Sequence, residues 1–297
     1  MKISQSFGQN KTVRNILLSI AFLFLMLGGY SLYWYLVAGK IINLIEEKKG
    51  EYLIEGYRIE TSSINISGFP FWFNTIINEP SISRFNETLS WSWRGPKLII
   101  SSRPWQLQKI EVKLSGRYIA TLKTQRRSLD TDLTIGNSNI FLKWNTNSNF
   151  PTKARVKIKD VLFSTTPILG LGRKTKNLDF QIEATGSPPN SFASSKLASW
   201  RNQGGVLKIQ NIFFEHGPIE IRGDGTLALN KELQPLAAFS FEVSGYLELI
   251  DRLQLSRLIS LNEARLARAI LSMLTVSKKN EEKNKSKKKV KFPLTIQ

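Results

Sequence analysis

The chain has 297 residues, enough for one large domain or two modest domains with a sizeable core. Its 42 Lys and Arg outnumber its 23 Asp and Glu, so anionic partners such as phospholipid head groups, lipopolysaccharide and nucleic acid have to be considered. The lack of cysteine excludes disulfides, thiolate nucleophiles and cysteine metal sites, and the single histidine, His216, leaves too few ligands for most zinc sites.

The first predicted element is a membrane-spanning helix over residues 16–37. This run of 22 residues carries no charge. As a helix it would be about 33 Å long, enough to cross a hydrocarbon core of about 30 Å. It is longer than the apolar region of a secretory signal peptide, which favours an uncleaved signal anchor. Aromatic residues typical of a membrane interface cluster at its second end: Tyr30, Tyr33, Trp34 and Tyr35.

The residues before this anchor, 1–15, form a short basic tail that contains no acidic residue. Short basic N-termini usually stay in the cytoplasm, whereas long C-terminal domains are translocated largely regardless of their charge. We therefore expect a single-pass inner-membrane protein with its tail in the cytoplasm and its body in the periplasm.

After the anchor, residues 38–56 have a helix-like apolar spacing that predicts a helical neck, interrupted at Gly50. From residue 57 apolar residues alternate with polar ones, as at Ile110, Val112 and Leu114. The alternating segments are separated by predicted turns at Gly95-Pro96, Gly136-Asn137, Gly186 to Pro189, Gly217-Pro218 and Asp224-Gly225. The pattern predicts a long antiparallel meander, half-buried on one face, in a β-rich envelope domain over residues 57–276.

Residues 246–276 return to helical spacing and predict one or two amphipathic helices. These could lie on a membrane surface, but packing is favoured because there is a sheet to cover. A lysine-rich disordered segment, 277–291, and a strand-like stub, 292–297, follow. The predicted fold class is thus α+β, mainly β: a transmembrane helix, a long curved antiparallel meander sheet and C-terminal amphipathic helices packed on it.

The densest aromatic stretch is GFPFWFN, residues 68–74. Its glycine and proline predict a bend, after which Phe71 and Phe73 would share one strand face and Trp72 would take the other. Trp91 and Trp93 also share one strand face. Such rings could fill a core, line a groove for acyl chains, or stack on sugars or bases, and a core is favoured. The residues we predict to bind a lipid-like ligand are Phe71, Trp72, Phe73, Trp91 and Trp93.

Two other patterns are weak. Gly170-Leu171-Gly172, followed by basic residues, lacks the Lys-Ser/Thr of a P-loop, so a basic surface turn is favoured. Asp130 and Asp132 would share a strand face, but no third ligand for a divalent cation follows. We therefore predict no catalytic residue, no metal and no cofactor, and a protein that is not an enzyme.

Several short motifs occur in a characteristic order: an N-terminal anchor, Gly68-Phe69-Pro70-Phe71, Trp200 followed by Gly204-Gly205, Gly217-Pro218, a Gly223-x-Gly225 hairpin and a helical region. In this order the chain resembles DUF2125, a family of alphaproteobacterial envelope proteins known by a domain of unknown function. The broader architecture is similar to that of AsmA-like envelope proteins. The resemblance implies a role in lipid handling or envelope homeostasis and supplies no catalytic residues.

The expected function is that of a membrane-anchored envelope protein that binds or shields lipid-like ligands on an apolar face of its sheet. The alternative is a non-enzymatic structural or assembly factor with no small ligand. The expected partners are the membrane and an anionic lipid surface, and nucleic acid is not expected because no basic face is patterned for it. The lysines expected to contact anionic lipid are Lys283, Lys285, Lys287, Lys288, Lys289 and Lys291.

Overall fold

The computed structural model describes residues 6–85, 89–124, 128–145, 150–164, 171–186, 188, 193–273 and 289–296. Within these residues the helices are α1 Ser6–Ile54, α2 Ser194–Asn202, α3 Tyr246–Leu255 and α4 Leu261–Met273. The strands are β1 Tyr57–Glu60, β2 Ser63–Ser67, β3 Phe73–Asn78, β4 Ser81–Arg84, β5 Leu89–Arg94, β6 Lys97–Arg103, β7 Gln106–Leu114, β8 Gly116–Thr124, β9 Ser128–Lys143, β10 Lys153–Phe163, β11 Lys174–Ala184, β12 Leu207–His216, β13 Ile219–Leu229, β14 Pro235–Ser244 and β15 Lys289–Ile296. The predicted class, mainly antiparallel β with a long N-terminal helix, is confirmed.

Helix α1 is a single helix of 49 residues. The run predicted as an anchor and most of the segment predicted as a neck are therefore parts of one element. Gly50 does not interrupt it, because a glycine inside a helix costs only about 1 kcal/mol relative to alanine. The helix ends before Gly56, which has a left-handed backbone with φ +86. In the described chain, α1 is the one helix long and apolar enough to span a membrane, and its residues 11–29 are exposed throughout.

The strands form one open antiparallel sheet that forks at β9. β9 pairs with β10 on one side, and on the other side its first half pairs with β8 and its second half with β7. One branch continues through β8, β5, β4 and β1, and the other through β7, β6, β3 and β2. From β10 to β15 the sheet is a simple meander, and its ends do not pair with one another.

Two side chains fill the fork. Tyr118 is 0% exposed and stacks on Trp93 with ring centroids 5.2 Å apart. Its hydroxyl donates to the Lys97 carbonyl at 2.7 Å, and burial raises the pKa of this phenol. The Ser138 hydroxyl accepts from the Leu114 N–H at 2.6 Å and donates to the Leu114 carbonyl at 2.9 Å. These bonds satisfy backbone groups that the diverging strands cannot pair.

The alternation of apolar and polar residues is confirmed, but one irregularity in each of three strands interrupts it. Asp160 in β10 has φ +55, and β11 and β12 carry register shifts after Thr175 and after Ile209. Apolar residues on both sides of these breaks are fully or partly buried, for example Ile158 and Val161 in β10. The irregularities thus keep the apolar side chains on one face although their spacing in the sequence changes.

Two of the predicted turns are wrong, whereas Gly95-Pro96 and Gly217-Pro218 do connect strands. The predicted turn from Gly186 to Pro189 lies partly outside the described residues. Gly136-Asn137 lies inside β9, and Asp224-Gly225 lies inside β13, as does the predicted Gly223-x-Gly225 hairpin. A Cβ on Gly223 or Gly225 would come within 2.7 or 2.3 Å of a ring carbon of Phe241 or Phe239. These glycines therefore make room for rings of the neighbouring strand instead of forming a turn.

The packing of Tyr118 in the fork can be tested by substituting Gly95. Alanine there would place a Cβ 2.0 Å from the buried Tyr118 ring, and such overpacking costs about 1–3 kcal/mol. We expect a lower Tm for detergent-solubilised Gly95→Ala than for the parent chain. Gly50→Ala is the control, since nothing lies within 4 Å of its Cβ position, and its Tm should be unchanged or higher. Equal melting of Gly95→Ala and the parent would contradict this role of Tyr118.

Candidate functional site

The stretch 68–72 forms a tight turn between β2 and β3. Gly68 has φ +101, and the Trp72 N–H donates to the Gly68 carbonyl at 2.9 Å. The bend predicted from the glycine and proline is therefore present, and the Phe69-Pro70 peptide bond within it is cis. A side chain at Gly68 would meet the Trp72 carbonyl at 2.8 Å, which explains why glycine occupies this position.

This turn is where the body of the protein meets α1. Phe73, the first residue of β3, is 1% exposed and stacks on Trp34 with ring centroids 5.1 Å apart. The Trp34 indole N–H donates to the Trp72 carbonyl at 3.2 Å. Phe69 packs edge-on against Trp34 at 5.6 Å, and Ala38 extends the same buried cluster along α1.

Two tyrosines of α1 add hydrogen bonds to this contact. The Tyr30 hydroxyl donates to the Pro70 carbonyl, and the Tyr33 hydroxyl donates to the Pro104 carbonyl at 3.0 Å. Pro104 lies in the two-residue turn that joins β6 to β7. The aromatic group predicted to mark a membrane interface therefore also holds two turns of the sheet.

The structure separates the three aromatic residues predicted for a ligand site in this stretch. Phe73 lies in the contact with α1 and is not accessible. The prediction that Phe71 and Phe73 share a strand face is wrong, because β3 begins only at Phe73. Phe71 is 63% exposed. Trp72 lines a cleft, with the Arg103 guanidinium 5.0 Å from its ring centroid.

Trp91 and Trp93 lie on β5, as predicted for a strand, but in the other branch of the fork. Trp93 stacks on Tyr118, and Trp91 lies 6.2 Å from the Tyr57 ring. Both line a cleft of about 410 Å³. They do not line the cleft of Trp72, so the five predicted rings do not form one site.

The cleft beside Trp72 has a volume of about 510 Å³ and crosses β6, β7, β9 and β10. Its apolar side chains include Trp72 and Phe141. Its charged residues are five cations and one carboxylate: Arg103, Lys109, Lys143, Lys153, Arg155 and Glu111. The positive charges are concentrated by strand register, because Lys109 lies opposite Lys143, and Lys143 lies opposite Lys153.

Part of this positive charge is neutralised. Lys153 pairs with Glu183 at 2.7 Å, and its hydrogen bond holds the pKa of Glu183 below the ordinary value. Arg155 pairs with Asp179 at 3.0 Å. Burial alone would raise the pKa of Asp179, but Arg155 and Lys157 outweigh burial and lower it. Both carboxylates are therefore ionised at neutral pH.

The remaining cations have no such partner. Among the described residues, Lys109, Lys143 and Arg103 form no ion pair. Like charges directly opposite one another on neighbouring strands are destabilising. Sequence reasoning missed these three residues, because they are far apart in the chain and only strand register brings them together.

One face of the sheet is apolar across many strands. Many of its side chains, such as Ile158, Phe180 and Ile212, are only partly buried. At β3 the same face packs against α1 through Phe73. Near the β15 edge, Phe241 contacts Phe239 and Phe292 with centroids 5.5 and 5.8 Å apart. The face therefore ends in an aromatic group at an open edge.

The C-terminal helices α3 and α4 contact each other. α3 buries Tyr246 and Ile250, and Arg268 of α4 pairs with Asp251 of α3 at 2.6 Å. α4 buries Ala264, and four of its larger apolar side chains are exposed: Leu261, Leu266, Ile270 and Met273. The two predicted helices are thus present and pack on each other.

The predicted lipid-contacting lysines fall into two groups. Lys283, Lys285, Lys287 and Lys288 lie outside the described residues. Lys289 and Lys291 belong to β15, so the terminal strand begins earlier than the predicted stub. Their ammonium groups lie 2.8 and 3.7 Å from the Glu242 carboxylate and lower its pKa.

The other polar candidates have structural partners. Asp132 pairs with Arg117, and within the described chain no three metal-ligating side chains lie together. His216 is buried at the end of β12, with Nδ1 2.7 Å from Thr175 Oγ1 and Nε2 3.1 Å from the Gly172 carbonyl oxygen. Gly170 lies outside the described residues.

A model of the family DUF2125, described as an uncharacterized protein conserved in bacteria, matches residues 34–167 and 164–297. The chain belongs to the DUF2125 family. Neither a curated protein nor a solved structure matches it. The matched region of this DUF2125 chain begins at Trp34, the residue that stacks on Phe73, and so leaves out most of the uncharged run.

The motifs that carry the resemblance have packing roles in this DUF2125 chain. Trp200 is buried, its indole N–H donates to the Thr185 carbonyl at 2.8 Å, and a Cβ on Gly205 would come within 2.4 Å of its ring. Gly68 forms the turn on α1, and Gly223 and Gly225 accommodate phenylalanine rings. The motifs therefore specify how the fold packs, and none of them forms a catalytic arrangement in the described residues.

The contact between α1 and the sheet can be tested with two neighbouring phenylalanines. Phe73→Ala removes a fully buried ring and should cost about 3–5 kcal/mol of stability. Phe71→Ala removes an exposed ring and should change stability by no more than about 0.5 kcal/mol. Thermal melting of both variants of the full chain in the same detergent makes the comparison. Equal Tm values would contradict the docking of β3 on α1.

Proposed function

We propose that this DUF2125 protein is held in the inner membrane by α1 and binds or shields lipid-like ligands on the uncovered apolar face of its sheet. One observation carries the proposal: this face is apolar across many strands, and many of its side chains, among them Ile158, Phe180 and Ile212, are only partly buried. Burial of apolar surface is favourable by about 25 cal/mol per Å². Binding of an apolar ligand along this face would therefore be favourable, and it would require no rearrangement of the fold.

The size of the face favours an extended ligand. From β6 to β15 the path crosses nine strands, and at about 4.8 Å between neighbours this is roughly 38 Å. Contiguous apolar patches larger than a few hundred Å² are rare on monomeric soluble proteins and mark interaction sites. The polar clusters described above offer no catalytic chemistry, so we propose binding without catalysis.

The attachment to α1 supports a lipid as the ligand. The buried contact of Trp34 with Phe73 brings one branch of the sheet to the helix that we propose crosses the membrane. A lipid that left that membrane would meet the sheet near this contact. A membrane anchor followed by a long sheet is also the broad architecture of AsmA-like envelope proteins, and this likeness adds support at the level of fold only.

A specific observation also favours the alternative, a structural or assembly factor of the envelope. β15 is an edge strand whose outer backbone groups have no strand partner among the described residues. Its Phe292 and Leu294 are exposed. An unpaired edge of this kind is a template for another strand. A protein partner could therefore add a strand there and cover the same apolar face.

Site-specific photo-crosslinking separates these two functions. We would place a photoreactive phenylalanine analogue at Phe241, on the apolar face, or at Ser240, which is exposed on the opposite face. After irradiation in cells, mass spectrometry should find lipid adducts at position 241 and none at 240. Protein adducts at 241 without lipid would favour the assembly role, and equal lipid adducts at both positions would refute a ligand face.

The orientation can be tested with the natural lack of cysteine, because any engineered thiol is the only one. Leu162→Cys, exposed at the end of β10, should react in spheroplasts with a thiol reagent that cannot cross the inner membrane. Lys11→Cys, in the N-terminal tail, should react only after permeabilisation. The reverse pattern would place the body in the cytoplasm.

A further inference from the structure

The hydrogen bonds from α1 fix the height of the sheet on this helix. Tyr30 and Tyr33 hold the carbonyls of Pro70 and Pro104. The part of α1 that is exposed throughout, residues 11–29, is about 28 Å long at about 1.5 Å per residue, close to the hydrocarbon thickness of about 30 Å. If these residues span the hydrocarbon core, Tyr30 and Tyr33 lie just beyond its end. The two turns that they hold then lie in the head-group layer and not in the aqueous space above it.

The side chains at these turns agree with that depth. Phe71 is 63% exposed and Trp105 is 56% exposed, although both lie in tight turns. Leu107 is exposed beside them. Turn tips facing water are usually built from Gly, Pro, Asn, Asp and Ser. Aromatic side chains are instead enriched at the interface between membrane and water.

Directly behind the turns lies the row of lysines that crosses β7, β9 and β10. Lys109, Lys143 and Lys153 lie opposite one another, which places neighbouring Cβ atoms about 5 Å apart. Among the described residues only Lys153 of this row has a carboxylate partner. Arg103, at the end of β6, faces the same cleft over Trp72. An anion bound in this cleft would be attracted to each of these cations and would offset the repulsion between them.

We propose that this end of the sheet docks on the surface of the membrane that holds α1. Phe71 and Trp105 insert among the lipid head groups, and Arg103, Lys109 and Lys143 bind the phosphate of an anionic phospholipid. The occupant is a lipid head group because the cations lie behind turns that carry exposed aromatic residues at membrane height. The inference shares with the proposed function that α1 crosses the membrane, but it requires no ligand on the apolar face.

The test uses the full chain in lipid nanodiscs. Trp105→Cys carries an environment-sensitive fluorophore, and the discs contain a lipid with a spin label on its head group as quencher. Quenching should be stronger in discs of phosphatidylcholine mixed with phosphatidylglycerol than in phosphatidylcholine alone. A probe at Leu162→Cys should not be quenched, because nine residues of β10 place it about 30 Å from Lys153. Equal quenching at both positions, or none at position 105, would overturn the proposal.

The lysines are tested in the Trp105→Cys background with Lys109→Gln/Lys143→Gln. In anionic discs the ratio of docked to undocked protein should fall about fivefold for each lysine removed, and in neutral discs it should not change. Lys123→Gln/Lys159→Gln removes the same charge elsewhere. Lys123 lies opposite Ser128, about 50 Å along β9 from Lys143. A loss as large in this control, or an equal loss in neutral discs, would refute a local phosphate site.

Two further measurements fix the source of the phosphate and the role of the lysines. Inorganic phosphate added to neutral discs should not increase quenching, and an increase would refute the assignment to a head group.

The Tm of Lys109→Gln/Lys143→Gln in neutral detergent should equal or exceed that of the parent, because the repulsion between the two lysines is relieved. A lower Tm would show that the lysines are structural. Lipid adducts at position 241 should persist in this variant, so failure of docking and failure of the lipid-face proposal can be told apart.

Discussion

The stacking of Trp34 on Phe73 is the contact on which the arrangement of this protein depends. Helix α1 is apolar enough to span a membrane. This contact joins it to the branch of the sheet that runs through β7, β6, β3 and β2. Because α1 continues unbroken from the uncharged run to Ile54, no separate neck lies between them. This contact and the hydrogen bonds of Tyr30 and Tyr33 together set the position of the cleft, the two turns and the apolar face relative to α1. The family match also begins at Trp34.

The second constraint is that a sheet this wide has more apolar surface than its helices can cover. Backbone hydrogen bonds are satisfied within the sheet, and the skips at Asp160 and in β11 and β12 keep apolar residues on a single side. Many side chains on that side stay half-buried. Exposed apolar surface of this size is typical of interaction sites, and we propose lipid as the partner because α1 lies nearby.

The class of fold could be predicted because alternation at positions such as Ile110 and Val112 is a local property of the sequence. The turn predictions at Gly136 and Gly225 failed because glycine also occurs where a strand is irregular or where a neighbouring ring lies flat. Partners far apart in the chain could not be predicted. The row from Lys109 to Lys153 depends on strand register. The burial of Phe73 depends on where β3 begins, which is two residues later than the position predicted from the bend at Gly68 and Pro70.

The docking of Phe73 on Trp34 implies that α1 and the sheet form one rigid unit. Spin labels on cysteines introduced at Lys40 in α1 and at Lys113 in β7, both exposed, can be measured by double electron–electron resonance with the full chain in nanodiscs. A single narrow distance distribution is expected. A broad or multiple distribution would mean that the sheet moves on a flexible neck, and it would contradict the docking of Phe73 on Trp34.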